Sequence, residues 1–410
     1  MKPFRRIKAN VSIFGTSQLH LRNPYIIAWW SAAFPGFGHL LLSKYIRGFV
    51  LIMWEILINT KSQLNLSMVY SFTGEFEKAK EVLDYHWIYF YIPVYIFAIY
   101  DSYRTSIDLN KAYLLAQKEN APFNTFILHP LEINYLDKRN PLLALAWSLF
   151  IPGIGQLYIH RILSGFFSIF FFILFMYHSN FFESLYYIFQ GDLQSSVDVI
   201  KIGWFLFLPS LYFFSIYDSY INAIENNKLF EEELSHFITT SYDHINVLSS
   251  IFSKRSKGMF IAATFLKNEF IELAIEALKE GGIQSQQIFS TSLSNKPFKH
   301  FFDSIHHSDG ISYFDLGASL ATASSVIGAS IGYRLTWGPI IWGVIGAVIG
   351  AVIGFLLGFF SKWLWYKKKN MFNIPSQFLL IVKCAENESL KIKEILEHHF
   401  STGVSVIDKK

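Results

Sequence analysis

The amino-acid sequence predicts a multi-pass α-helical membrane protein with a cytosolic α+β domain, the domain being interrupted by a glycine-rich transmembrane hairpin. Three observations carry this. First, of 410 residues 52% are hydrophobic and only 16% charged, and the mean hydropathy is +0.31; a soluble domain carries roughly 25% charged residues. Second, the chain repeats itself: residues 22–49 align without a gap with residues 139–166, at an offset of 117 and with 11 of 28 positions identical. Third, two β-α-β patterns in the last third flank a long apolar stretch rich in glycine.

Charge and cysteine content narrow the class. The balance of 35 Lys+Arg against 31 Asp+Glu, a net +4, is too small to imply a nucleic-acid partner. The single cysteine, Cys384, allows neither an internal disulfide nor a cysteine-based zinc site. It ends the strand-like run FLLIVKC and reads as an inert buried thiol. The basic start MKPFRRIK is not followed by a short apolar run with a small-residue cleavage site, so a cleaved signal peptide is not expected.

The elements follow in order. Residues 1–21 read as a basic cytosolic N-terminus, 22–111 as the first membrane repeat, 112–138 as a cytosolic linker and 139–228 as the second repeat. Each repeat carries three apolar segments, near 25–42, 48–58 and 87–100, and near 142–159, 165–177 and 202–217. The first segment of each is broken by Pro-Gly-x-Gly (Pro35, Gly36, Gly38; Pro152, Gly153, Gly155). Proline removes a helix donor and glycine is permissive, so the break reads either as a re-entrant turn or as a bend in a spanning helix. The charge pattern favours the re-entrant form. It keeps Lys44, Arg47 and Arg161 on the side of the N-terminus, puts loops 61–86 and 179–201 outside and loop 104–139, with five Lys/Arg, inside.

Residues 229–257 read as a helical linker. Residues 258–295 form the first half of the α+β domain: a strand at 259–264, an amphipathic helix N-capped by Asn268 and stopped at Gly281-Gly282, and a strand at 283–293. Residues 371–410 form the second half, with a strand at 377–384, a helix over 386–400 capped near Asn387, and a strand at 403–408. Two such halves make a split, ferredoxin-like domain. Between them, residues 296–370 hold a polar membrane-edge segment and the hairpin, with helices at 316–333 and 340–365. Gly346, Gly350, Gly354 and Gly358 recur every four residues, with Gly328 and Gly332 opposite, a glycine-zipper spacing that lets helix backbones approach closely in lipid. The partner in that contact is the hairpin itself or a second copy of the chain.

Two family resemblances rest on these residues. The repeat pattern of NP, an apolar run, PGxG, a basic turn with glycine, a second apolar run and a terminal Asp resembles the two-transmembrane (TM-two) domain family. It is carried by Pro35, Gly36, Gly38, Gly48 and Asp101, and again by Pro152, Gly153, Gly155, Gly165 and Asp218. The family's Phe-Tyr before the turn is kept only as Leu157-Tyr158 in the second copy. The last third is similar in pattern to bacterial general-stress membrane proteins, in which a glycine-rich hairpin sits inside an α+β domain. Together the resemblances imply a bacterial cytoplasmic membrane and no established activity, while the charge pattern places both termini in the cytosol.

Candidate sites are few. Asp303, His306, His307, Asp309 and Asp315 are the densest metal-type group, but adjacent histidines point apart and a polar membrane-edge segment accounts for them, so no metal or cofactor is expected. No catalytic signature is found, and the protein is not expected to be an enzyme. Asp101 with Lys44, and Asp218 with Arg161, read as ion pairs at the inner rim or as separately hydrated charges. His39 corresponds to Gln156 in the second copy, while His178 and Glu183 read as solvated at the outer rim. Glu55 lies inside the apolar run LIMWEILIN, where a carboxylate is costly; Phe172 occupies its place in the second copy. The expected function is a membrane scaffold or regulator whose cytosolic domain binds a protein partner or ligand. The competing reading is an oligomeric channel or transporter that uses the glycine helices and Glu55.

Overall fold

The computed structural model describes residues 5–242, 259–265, 268–293, 313–366 and 377–408. The chain divides into two compact units, one formed by Met1–Asn227 with Ile305–Lys368, the other by Lys228–Ser304 with Lys369–Lys410.

The first unit opens with a hairpin of β1 (Ala9–Ser12) and β2 (Gly15–Gln18). The helices α1 (Pro24–Ala33), α2 (Phe37–Leu41), α3 (Tyr45–Ser62), α4 (Leu64–Phe72), α5 (Phe76–Val82) and α6 (Tyr85–Lys118) follow. The second copy repeats this series. After β3 (Phe123–Asn124) come the hairpin β4 (Phe126–Leu128) and β5 (Ile133–Tyr135), then α7 (Pro141–Phe150), α8 (Ile154–Tyr158), α9 (Ile162–His178), α10 (Phe181–Gln190), α11 (Leu193–Val199), α12 (Ile202–Phe205) and α13 (Phe207–Tyr242).

The offset of 117 is therefore structural as well as sequential. Asn23 and Asn140 cap α1 and α7 by accepting from the N–H groups of Tyr25 and Leu142 at 3.0 and 2.9 Å, each followed by a proline whose fixed φ suits the first helical turn. Both α1 and α7 stop one residue before Pro-Gly, because proline disfavours a helical conformation in the residue before it. Gly36 (φ 106°) and Gly153 (φ 108°) then turn the chain in a conformation that L side chains rarely adopt.

Several expectations need correction. Residues 1–21 and 112–138 are not a plain tail and linker. Each carries a short hairpin ahead of its module, β1 pairs in parallel with β3, and α6 runs to Lys118. The strands are only two to four residues long, from the polar Gly-Thr-Ser-Gln of β2 to the apolar Phe-Ile-Leu of β4, so no apolar alternation announces them; the hairpins pair locally, and the β1–β3 bonds reach across the chain. The stretches read as outer loops each contain two short helices, α4 with α5 and α10 with α11. Serines tie these pairs at matching positions: Ser67 Oγ donates to the Ala79 carbonyl and Ser184 Oγ to that of Ser196, both at 2.8 Å.

The first unit ends with α15 (Tyr313–Gly332) and α16 (Gly338–Tyr366). Among the described residues two helices are long and apolar enough to cross a membrane, Phe314–Gly332 and Gly338–Phe360, and up to five if each sharply bent helix pair is one span. Large apolar side chains remain exposed along helix faces: Phe166, Phe170, Ile173 and Tyr177 on α9, and Val344, Val348 and Val352 on α16. Such stripes fit lipid and would be an association hazard in water. Inside the unit, Trp30, Phe37 and Phe214 are buried together, Phe37 stacking on Phe214 at 4.1 Å, so the core joins the first copy to the second.

The second unit is a four-stranded antiparallel sheet built from β6 (Met259–Phe265), β7 (Ile288–Leu293), β8 (Gln377–Cys384) and β9 (Gly403–Asp408), in the order β7-β8-β6-β9. Helices α14 (Asn268–Glu280) and α17 (Ser389–His398) complete it. The core draws Ile261, Ile271, Ile275 and Leu278 from one half and Leu380, Val382, Ile392 and Leu396 from the other. Leu234 and Phe230 of α13 join it, so the segment read as a linker contributes to this core. The strand expected over 283–293 begins only at Ile288; the polar Ser285–Gln287 form a single 3-10 turn. The cap near Asn387 is also displaced: Asn387 lies in a 3-10 turn and Glu388 stands at the N-cap without a side-chain cap bond.

Candidate functional site

The repeat-motif residues meet at the break of each module. A Cβ on Gly36 would lie 2.5 Å from the Gly48 carbonyl oxygen, and one on Gly48 would lie 2.7 Å from Leu40 Cδ2. Gly153 likewise backs onto the Gly165 carbonyl, and Gly165 onto Leu157. The second glycine of each motif serves another contact. A Cβ on Gly38 would meet Ser31, the Ile27 carbonyl and, at 3.2 Å, Ser102; one on Gly155 would meet Ser148, the Ala144 carbonyl and, at 3.0 Å, Ser219. Pro35 and Pro152 sit at the break itself. The motif thus packs a short helix between its two neighbours with backbone against backbone.

The two terminal aspartates have different partners. Asp101 Oδ2 lies 2.6 Å from Arg47 Nη1 and 2.9 Å from His39 Nε2, so it pairs with Arg47 and His39 and not with Lys44, which lies at the N-cap of α3. One turn of helix α3 carries Arg47 to the carboxylate, which the side chain at the cap position does not reach. Asp218 Oδ1 lies 3.5 Å from Arg161 Nη2, both side chains almost wholly buried, and accepts from Asn222 Nδ2 at 2.8 Å. Arg161 also reaches across to the first copy, donating to Tyr45 Oη at 3.0 Å. Gln156, the counterpart of His39, donates to the Ser215 carbonyl at 3.0 Å.

Around Arg161 a buried polar seam joins the copies to the hairpin. Tyr217 Oη donates to Asp315 Oδ1 at 2.8 Å, and His20 Nδ1 is 3.4 Å from Glu225 Oε2. Asp315 is therefore buried at a helix contact; the other members of its supposed metal group, Asp303, His306, His307 and Asp309, lie outside the described residues. Among the described residues no group of three or more His, Cys, Asp or Glu is placed to hold a metal ion. The seam also contains residues that the sequence reading did not single out. Arg22 N–H donates to Asn110 Oδ1 at 3.0 Å and Arg139 N–H to Asn227 Oδ1 at 2.8 Å. Each asparagine returns a bond to the arginine carbonyl, fastening the start of α1 or α7 to a long helix.

The hairpin glycines pack within the hairpin. Gly346, Gly350 and Gly354 of α16 back onto the carbonyls of Ser324, Leu320 and Leu316 of α15, and Gly328 and Gly332 onto Trp342. Gly358 lies on the same four-residue spacing. At the α4–α5 loop, the bond from Lys78 holds the Glu75 carboxyl below the usual carboxylate range, and Arg334 of the hairpin turn adds to this through its ion pair with Glu75.

Glu55 and Cys384 are both buried, with different surroundings. Glu55 is 4% exposed and accepts from Asn59 Nδ2 at 2.9 Å. Cys384 is 4% exposed, and burial followed by the charge of Glu388 pushes its thiol up. His178, read as solvated, stacks on Trp204 at 4.6 Å, while Glu183 is exposed.

Comparison with protein-family models, with curated proteins and with solved structures returned no match. Fold and geometry alone define the class: a mostly helical chain of two matching modules, with helices able to cross a membrane and a small antiparallel sheet unit.

Proposed function

We propose that this chain is a non-enzymatic, multi-pass scaffold or regulator of a bacterial cytoplasmic membrane. Its two repeats act as TM-two-like modules, and its second unit is a cytosolic domain of ferredoxin-like topology that engages a protein partner or ligand. The observation that carries the reading is the sheet register. β6, which precedes the hairpin, lies between β8 and β9, which follow it. A domain closed around a membrane hairpin and continuous with the second repeat is held to the bilayer by three chain connections, which suits presentation or sensing better than catalysis. The strand order β7-β8-β6-β9 supports the ferredoxin-like reading, and the matched modules support the kinship of the repeats.

Two measurements test it. In a Cys384→Ser background, cysteines at Glu77 and Gln194 should react with an impermeant thiol reagent from outside the cell, and cysteines at Asn120 and Lys391 should not. Outside labelling at Lys391 sinks the cytosolic assignment. Crosslinking in cells through Lys391 and Lys393, followed by mass spectrometry, should recover one dominant partner protein. The burial of Glu55 favours a second reading, transport; ion flux in liposomes that is lost on Glu55→Gln would replace the scaffold reading with it.

A further inference from the structure

A cavity of about 260 Å³ lies where the first repeat, the start of α13 and the hairpin helix α15 meet. One water needs only some 10–15 Å³ by such a measure. Its walls are mainly apolar and aromatic, with Trp29, Phe34, Phe72 and Phe207 among them, and Glu55 lines it.

The polar groups of this wall are mostly satisfied. Asn59 Nδ2 donates to Glu55 Oε1 at 2.9 Å and to Asn65 Oδ1 at 3.1 Å, while Asn59 Oδ1 accepts from the Asn65 N–H at 3.1 Å. Asn65 Nδ2 donates to the Gly203 carbonyl at 2.8 Å. The hydroxyls of Ser210 and Thr322 donate to the carbonyls of Ala33 and Ala318. What remains is one acceptor and one donor: Glu55 Oε2 and Trp29 Nε1, both buried and without a hydrogen-bond partner among the described residues. Tyr91 also interacts with the Glu55 carboxyl, without a hydrogen bond of ordinary geometry to Oε2.

The repeat supplies an internal control. At the positions of Glu55, Asn59 and Asn65 the second copy has Phe172, Met176 and Phe182. The module therefore folds with apolar residues there, and the polar trio belongs to the first copy alone. A buried carboxylate with a free oxygen is expensive unless a cation or donor completes it. A bare metal cation needs about six oxygens or more, and here the other side-chain oxygens are engaged. A lone carboxyl within aromatic walls suits an organic amine, which it can hold as an ammonium–carboxylate pair and whose cation the rings also attract through their faces.

We propose that this cavity binds a small amphiphilic amine, its ammonium group on Glu55 Oε2 and its apolar body against Trp29, Phe34 and Phe207. The site does not depend on whether the α+β domain has a partner. The amine arrives either as a free solute or as the head of an aminolipid.

Full-length protein in phosphatidylcholine nanodiscs, with phenethylamine as probe and 2-phenylethanol as its uncharged counterpart, tests this by equilibrium dialysis. Wild type should bind the amine at least tenfold tighter than the alcohol, and Glu55→Gln should lose that preference. Ala323→Phe, which fills the cavity and leaves Glu55 intact, should weaken the amine at least tenfold and carries the test if Glu55→Gln does not fold. Adding phosphatidylethanolamine to the discs separates the sources: displacement of the probe assigns the site to an aminolipid, and unchanged binding assigns it to a free amine. Equal binding of amine and alcohol by wild type, or amine binding that survives both substitutions within twofold, overturns the proposal.

Discussion

Substituting Gly350 by alanine tests how the hairpin is held together. The new Cβ would stand 2.7 Å from the Leu320 carbonyl carbon and 2.7 Å from Ser324 Oγ. Optimal carbon contacts are about 3.5–4.0 Å, so α15 and α16 must separate by about 1 Å. The clash is with backbone, and no rotamer change relieves it. Overpacking of this kind costs about 1–3 kcal/mol, against which alanine regains about 1 kcal/mol of helix propensity over glycine. The net expectation is a loss of about 0–2 kcal/mol. Gly343 is the control. Its added Cβ would meet Ala329 Cβ at 3.4 Å and the Ser325 carbonyl oxygen at 3.7 Å, both tolerable, so Gly343→Ala should gain up to about 1 kcal/mol. Reversible unfolding of the full-length protein in bicelles measures both, and the larger Gly350→Ile should also make the α+β domain protease-sensitive. If Gly350→Ala is as stable as Gly343→Ala, the seam is not a close contact. If Gly350→Ile instead lowers crosslinked dimer and leaves the domain resistant, the contact lies between copies.

Further outcomes follow from the same geometry. Asp218→Ala leaves the buried Arg161 without its carboxylate and should destabilise by about 3–5 kcal/mol, while Asp101→Ala, which frees the half-exposed Arg47 and leaves the buried His39 without its acceptor, should cost about 1–3 kcal/mol; a larger loss for Asp101→Ala than for Asp218→Ala in chemical unfolding would contradict the assigned burial. A fusion of residues 228–295 to 375–410 through a short linker should give a soluble, cooperatively unfolding domain, more stable than one starting at 258 because Phe230 and Leu234 pack in its core. Either half alone should lack protected amides, since two strands and a helix bury too little apolar surface to offset chain entropy. Cys384 should react slowly with a thiol reagent until the domain unfolds. Because its thiol is pushed up in the folded state, its protonated form contributes stability below the ordinary thiol value that is lost as pH rises through the raised one; pH-independent domain stability across that alkaline range would count against the burial.

The sequence by itself determined the repeat, the helical breaks and the order of elements in the sheet unit. These are local: Asn-Pro starts a helix, Pro-Gly ends one, and Gly281-Gly282 stops α14 because its residues leave the helical conformation whatever surrounds them. The alignment even held the Arg22–Asn110 and Arg139–Asn227 fasteners, since all four residues recur at the same offset. Only the tertiary structure decided the rest. The β1–β2 and β4–β5 hairpins are too short to carry a pattern, and the pairing of β1 with β3 reaches across the chain. Whether Asp101 meets Lys44 or Arg47 turns on which side chain one helical turn presents to it, and spacing alone does not separate the two. The cavity beside Glu55 exists because two repeats and the hairpin meet there without filling the space, and local sequence carries no record of where distant helices fail to touch.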